Sequence, residues 1–106
     1  MNGTTPQLPL AIPTAEIAAF CRRHHIRELA LFGSVLRPDF GPDSDVDVLV
    51  EFEPEVDETL TLPDLVGMQL ELSNLFQRQV DLVLRDGLKP FIKDEVLHTS
   101  KVVYAV

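Results

Sequence analysis

The sequence predicts an α/β (α+β) domain in which helices flank a small mixed β-sheet. Three observations predict it. Val46 to Phe52 alternates strictly, with Val46, Val48, Val50 and Phe52 on one side and Asp47, Leu49 and Glu51 on the other. Leu65, Met68, Leu72, Leu75 and Phe76 then recur at helical spacing. Short aliphatic runs at Glu28 to Phe32 and Val80 to Leu84 continue the interleaving of strand and helix patterns.

Composition sets limits around this fold. The 106 residues suffice for one compact domain and not for two, and a 45% apolar share is ordinary for a globular chain. Against 9 Lys and Arg stand 17 Asp and Glu, a formal net charge of -8. Binding nucleic acid through phosphate neutralisation needs clustered cations, so direct nucleic-acid binding is not expected. Attraction to an anionic membrane surface is not expected either. The single cysteine, Cys21, excludes an internal disulfide and a thiolate metal cluster, which makes a reducing cytoplasm the expected setting. No run approaches the ~20 apolar residues of a membrane helix, and the first residues lack a signal-peptide pattern. A domain this acidic is expected to hold metal cations or to meet a basic protein.

Taken in order, residues 1–13 carry three prolines and read as a flexible N-terminal arm, leaving 14–106 as the single domain. Thr14 is placed as the cap of a helix from Ala15 to His25, with Ile17, Phe20 and Cys21 as its apolar stripe. The basic last turn, Arg22 to His25, suits the negative end of the helix dipole. Glu28 to Phe32 is a buried strand stopped by Gly33. Arg37 to Ser44, dense in Pro, Gly and Asp, is a loop leading into the alternating strand. Glu53 to Glu58 reads as a solvated acidic connection. Thr61 with Asp64 three residues on forms a capping box, with Pro63 in the first turn of the helix behind it. After the strand Val80 to Leu84, a helix from about Leu88 to His98 and a strand Val102 to Tyr104 close the chain. His24, His25 and His98 show no metal-ligand spacing and read as structural.

Three features carry chemistry together that none carries alone. The strand ending at Phe32 runs into Gly33-Ser34, where a glycine admits close approach to the backbone. A helix starting there would aim N–H groups at an anion, and Ser34 adds a hydroxyl. Gly-Ser by itself is a common turn pair. Asp45 and Asp47, two apart at the start of an alternating strand, place both carboxylates on one face about 6–7 Å apart. Strands disfavour aspartate, and like charges on one face repel unless a cation lies between them, so the pair suits an oxygen-liganded divalent ion such as Mg²⁺. Asp81 interrupts the next strand just after its start. A phosphate-cradling turn with three carboxylates on adjacent strands is the equipment of two-metal phosphoryl transfer.

Gly33-Ser34, ten intervening residues and Asp45-Val46-Asp47 resemble the Gly-Ser…Asp-x-Asp signature of the DNA polymerase beta-like nucleotidyltransferases. The short chain, with DSDVDVLVEFEP and VDLVLRDGLKPFIKDEVLHTSKVVYA, is similar to the minimal nucleotidyltransferases (MNT), the antitoxin-type partners of HEPN toxins. The resemblance spans roughly Pro13 to Tyr104 and implies a polymerase beta palm-like fold. It implies that Gly33 and Ser34 hold the nucleotide phosphates and that Asp45, Asp47 and Asp81 ligate two Mg²⁺ ions. Asp81 would lie nearest the attacking hydroxyl. Val35 stands where many members have arginine after Gly-Ser, and Arg37 is then the nearby cation for the phosphates.

The activity so implied is transfer of AMP from ATP to a hydroxyl, expected to be a tyrosine of a partner HEPN toxin. Two other expectations stand beside it. One is an antitoxin that neutralises by complex formation without catalysis. The other is transfer to a small molecule in a cleft between two subunits of a homodimer.

Overall fold

The computed structural model describes residues 12–36, 41, 44–57 and 59–106. In chain order these form α1 (Thr14–Arg23), β1 (Ile26–Phe32), a 3₁₀ turn (Gly33–Leu36), β2 (Val46–Phe52) and α2 (Pro54–Asp57). There follow α3 (Leu62–Phe76), β3 (Val80–Leu84), a second 3₁₀ turn (Arg85–Gly87), α4 (Pro90–Thr99) and β4 (Lys101–Ala105). The strands make one mixed sheet in the order β3-β2-β1-β4. β1 is antiparallel to both neighbours, whereas β2 and β3 run parallel across α3. The predicted sheet flanked by helices is the fold observed.

The alternation in β2 does what alternation should. Val46, Val48 and Val50 are all but fully buried and Phe52 nearly so. They meet Ile17, Phe20 and Cys21 of α1 and Met68, Leu72 and Phe76 of α3 in one apolar cluster. Truncating a side chain such as Phe20 or Leu72 there costs about 3–5 kcal/mol. On the opposite face of β2 Leu49 is also buried, flanked in register by Ala30 and Val83. That face is therefore not uniformly wet. Cys21 lies inside the cluster, where burial pushes its thiol up to about 12 against a smaller opposing pull from Arg22. Such a thiol is unreactive in the folded chain.

Several element ends differ from the sequence expectation, each for a local reason. α1 includes Thr14, and Pro13 is its cap: the Ile17 N–H donates to the Pro13 carbonyl at 2.9 Å, with no side-chain cap. It ends at Arg23 because His25 takes a left-handed φ of 57°. β1 starts at Ile26, two residues before the apolar run, because pairing with β2 extends to Phe52. The acidic connection contains a helical turn, Pro54–Asp57, opened by a proline whose fixed φ suits a first helical position. α4 starts at Pro90 on the same rule, and a 3₁₀ turn fills the space before it. β4 runs from Lys101 to Ala105, its ends set by β1. The capping box is present in full: Thr61 N–H donates to Asp64 Oδ2 at 3.0 Å and Asp64 N–H to Thr61 Oγ1 at 3.3 Å.

Arg23 and His24 both reach Glu71, tying the end of α1 to α3. His24 also stacks at a tilt on Phe20, 4.6 Å between ring centres. Among the described residues no helix is long and apolar enough to cross a membrane. The N-terminal arm proper, residues 1–11, lies outside the described residues.

Candidate active site

Strand register, not sequence proximity, assembles the acidic site. Phe32 pairs with Asp47 across β1 and β2, and Asp47 pairs with Asp81 across β2 and β3. The three residues thus form one row across the sheet, on the face opposite the α1 and α3 core. Neighbouring strands lie about 4.8 Å apart, so the two carboxylates leave the sheet side by side. Asp45 precedes β2 and is exposed, as is Asp81, while Asp47 is half-buried.

Gly33 follows Phe32 and turns the chain with φ +74°, a left-handed conformation. A Cβ on Gly33 would stand 2.3 Å from Asp47 Oδ2, inside any permissible contact. Glycine is required here twice over, by φ and by the approach of the Asp47 carboxylate. The Gly-Ser turn and the Asp-x-Asp strand, read separately from the sequence, therefore meet in space. The turn itself departs from expectation. Gly33–Leu36 is a single 3₁₀ turn, so it supplies no extended helix dipole toward an anion. Its Val35 side chain is fully buried and anchors the turn into the core. The Ser34 side chain and all of Arg37 lie outside the described residues.

Three devices hold the acids in place, and the sequence reading missed all of them. The Arg78 guanidinium donates to the carbonyls of Gly41 at 2.8 Å and Ser44 at 3.2 Å, fastening the segment that delivers Asp45. The Val46 N–H donates to the Gln79 carbonyl at 2.9 Å, which aligns the starts of β2 and β3. β3 is also an edge strand whose outward N–H groups need partners. Ser73 Oγ accepts from Val80 N–H at 3.0 Å and Gln69 Oε1 from Leu82 N–H at 2.9 Å. Asp81 sits between those two anchors. Arg78, Ser73 and Gln69 follow no motif, and only the packing of α3 against β3 reveals them.

The donor set consists of carboxylate oxygens, the chemistry a hard divalent cation prefers. Among the described residues no three such side chains already converge on one point. Asp45 and Asp81 are both exposed, and Asp81 lies beside Asp47 in register. In donor chemistry the residues fit such a cation.

Comparison with known proteins shows the family. The family model described as a nucleotidyltransferase domain matches residues 15–103. The protein adenylyltransferase MntA of Thermococcus cleftensis is 37% identical over 94 residues, 89% of each chain. A solved candidate minimal nucleotidyltransferase has a TM-score of 0.67 at 36% identity, covering 82% of this chain and 85% of that one. A rebuilt structure of a tri-AMPylated Shewanella oneidensis HEPN toxin in complex with an MNT antitoxin has a TM-score of 0.63 at 20% identity. It covers 88% of this chain and 70% of that one, and at such identity the likeness carries the fold alone. With a row of acids against a glycine turn, and with relatives at this level, the chain belongs to the nucleotidyltransferase family, among its minimal members.

Proposed function

We propose that this chain is an antitoxin that transfers AMP from ATP to a hydroxyl, a tyrosine's, on a HEPN toxin. The observation that carries the reading is the row Phe32–Asp47–Asp81 with Gly33 against the Asp47 carboxylate. The names of the relatives support the donor and the partner: one is a protein adenylyltransferase, and another complex contains an AMPylated HEPN toxin.

The Gly33 backbone, bare of a Cβ, lets the triphosphate lie close to the turn, and Ser34 and Arg37 supply further contacts to its oxygens. Asp45, Asp47 and Asp81 would hold two Mg²⁺ ions. Bound there, the ions offset phosphate charge and lower the pKa of the acceptor hydroxyl. Asp81, on the exposed edge strand, accepts the acceptor's proton. The acceptor oxygen attacks the α-phosphorus, the bond to the β-phosphate oxygen breaks, and pyrophosphate leaves. The product is a phosphodiester between AMP and the acceptor. Asp45 and Asp47 keep the phosphorus in line by holding the nucleotide against β2.

The test is incubation of the full chain with Mg-ATP and a HEPN protein from the same genome. Intact-mass analysis is expected to show addition of AMP to the partner, mapped by fragmentation to a tyrosine. A partner that is neutralised without any mass change, by a chain that binds ATP, overturns the catalytic reading in favour of inhibition by complex formation.

A further inference from the structure

Beside Gly33 the structure holds a pocket of about 410 Å³ whose described lining includes none of Asp45, Asp47 and Asp81. One wall is Phe32, Gly33 and Leu36, and the other is Ile92, Glu95, Val96 and Thr99 of α4. The α4 positions follow helical spacing, so one face of that helix is turned to the pocket. Small-ligand pockets span about 300–1,000 Å³ and combine apolar walls with a few polar groups. Phe32, Leu36, Ile92 and Val96 supply such walls here. Phe32 is also the register partner of Asp47, and Gly33 lies against its carboxylate, so two residues of the pocket wall adjoin the acids.

Among the described residues of the lining, the polar side chains of α4 are both acceptors. The Glu95 carboxylate only accepts hydrogen bonds. Thr99 Oγ1 already donates to the carbonyl of Glu95 at 2.9 Å, which leaves its lone pairs to accept. A ligand group that meets this side of the pocket therefore pairs with it through N–H or O–H bonds.

The geometry points to this pocket as the seat of the nucleobase, and to Glu95 and Thr99 as the groups that select a base carrying an exocyclic amine. The inference rests on the reading that Gly33 and the acids handle the triphosphate. A base ring lies between Phe32 and Leu36 on one side and Ile92 and Val96 on the other, with its amine toward the two acceptors. Adenine offers an amine with two N–H bonds. Uracil offers two carbonyls around a single N–H and sets acceptors against acceptors, which leaves polar groups unpaired.

The experiment is calorimetric titration of the full chain in Mg²⁺ with ATP, UTP and inorganic tripolyphosphate. The wild-type chain is expected to bind ATP about tenfold or more tightly than either of the others, one satisfied hydrogen-bonding edge being worth about that factor. Val96→Trp, which fills the pocket, is expected to bring ATP down to the tripolyphosphate level and leave tripolyphosphate binding unchanged. Glu95→Gln lies at an exposed position and keeps the test open if the tryptophan variant fails to fold. It is expected to shrink the ATP-to-UTP ratio to about threefold or less. If wild type binds ATP and tripolyphosphate alike, or if ATP affinity survives a folded Val96→Trp, the pocket does not hold the base, while the phosphate site stands. An unchanged ATP-to-UTP ratio in Glu95→Gln removes Glu95 from base selection. If neither ATP nor tripolyphosphate binds, the reading of the acid row fails, and this inference fails with it.

Discussion

Two acidic residues share one face of β2, four positions apart, and their surroundings differ. Glu51 accepts a hydrogen bond from Arg85 Nη1 at 2.8 Å, a cation delivered by the turn after β3. Asp47 looks across the same strand pair at another carboxylate, Asp81, and stands against a glycine with no room for a side chain. At one end of the face an acid lies in reach of a base carried by the next strand's turn. At the other, two acids are neighbours in register, an arrangement that an added cation stabilises. An acid in a strand is thus no signal in itself; its neighbour in register decides its meaning.

Substitutions at the two ends of this face are expected to differ in effect. The largest effect is expected from Asp47→Asn, alone or with Asp45→Asn. AMP transfer should fall by about 10³-fold, the scale of losing a group that stabilises charge in the transition state. A circular-dichroism spectrum like that of wild type would show that the loss is one of chemistry and not of folding. A transfer rate within a few fold of wild type would end the assignment of β2 as the catalytic strand.

Gly33→Ala comes next. The left-handed backbone costs about 1–2 kcal/mol with any Cβ, and that carbon would also displace the Asp47 carboxylate. Lower stability in chemical denaturation and lost transfer are expected together. Full activity would mean that the turn and the acid do not work in contact. Glu51→Gln should behave quite differently. This partly exposed pair is worth under about 1 kcal/mol, and transfer is expected to stay within about threefold of wild type.

The smallest effect concerns the far side of the sheet. The hydrogen bond from Arg23 holds the Glu71 carboxyl below its ordinary value of 4.5, with burial opposing and His24 assisting. A depressed carboxylate stabilises the fold above its ordinary pKa, and that contribution is lost as pH falls through the lowered value. Urea midpoints at neutral pH and near pH 3 should therefore differ less in Glu71→Gln than in wild type. Identical pH dependence in the two chains would show that the tie between α1 and α3 carries no measurable stability.

Legibility in the sequence followed physical range. The bounds of β2 and β3 were readable because alternation and an aliphatic run are properties of the strand itself. The capping box at Thr61 was readable because its bonds span three residues. The 3₁₀ turn after Gly33 was not, since four residues carry no period, and a helix was expected in its place. The choice of Gly33, Asp47 and Asp81 came from a motif, but their alignment depends on pairing across β1, β2 and β3, which no local pattern specifies. Arg78 illustrates the remainder. Its work is done on carbonyls at Gly41 and Ser44, and carbonyls have no letter in a sequence.

If the proposed acid row carries the transfer, the register that lines up Phe32, Asp47 and Asp81 also makes activity a report on folding. A slip of β2 by one residue would turn Asp47 into the apolar core and Val48 outward. No partly formed or misaligned sheet can then carry a weakened version of the site. A chain of this kind is either correctly threaded and competent or silent, and a single turnover assay distinguishes the two states as sharply as any probe of structure.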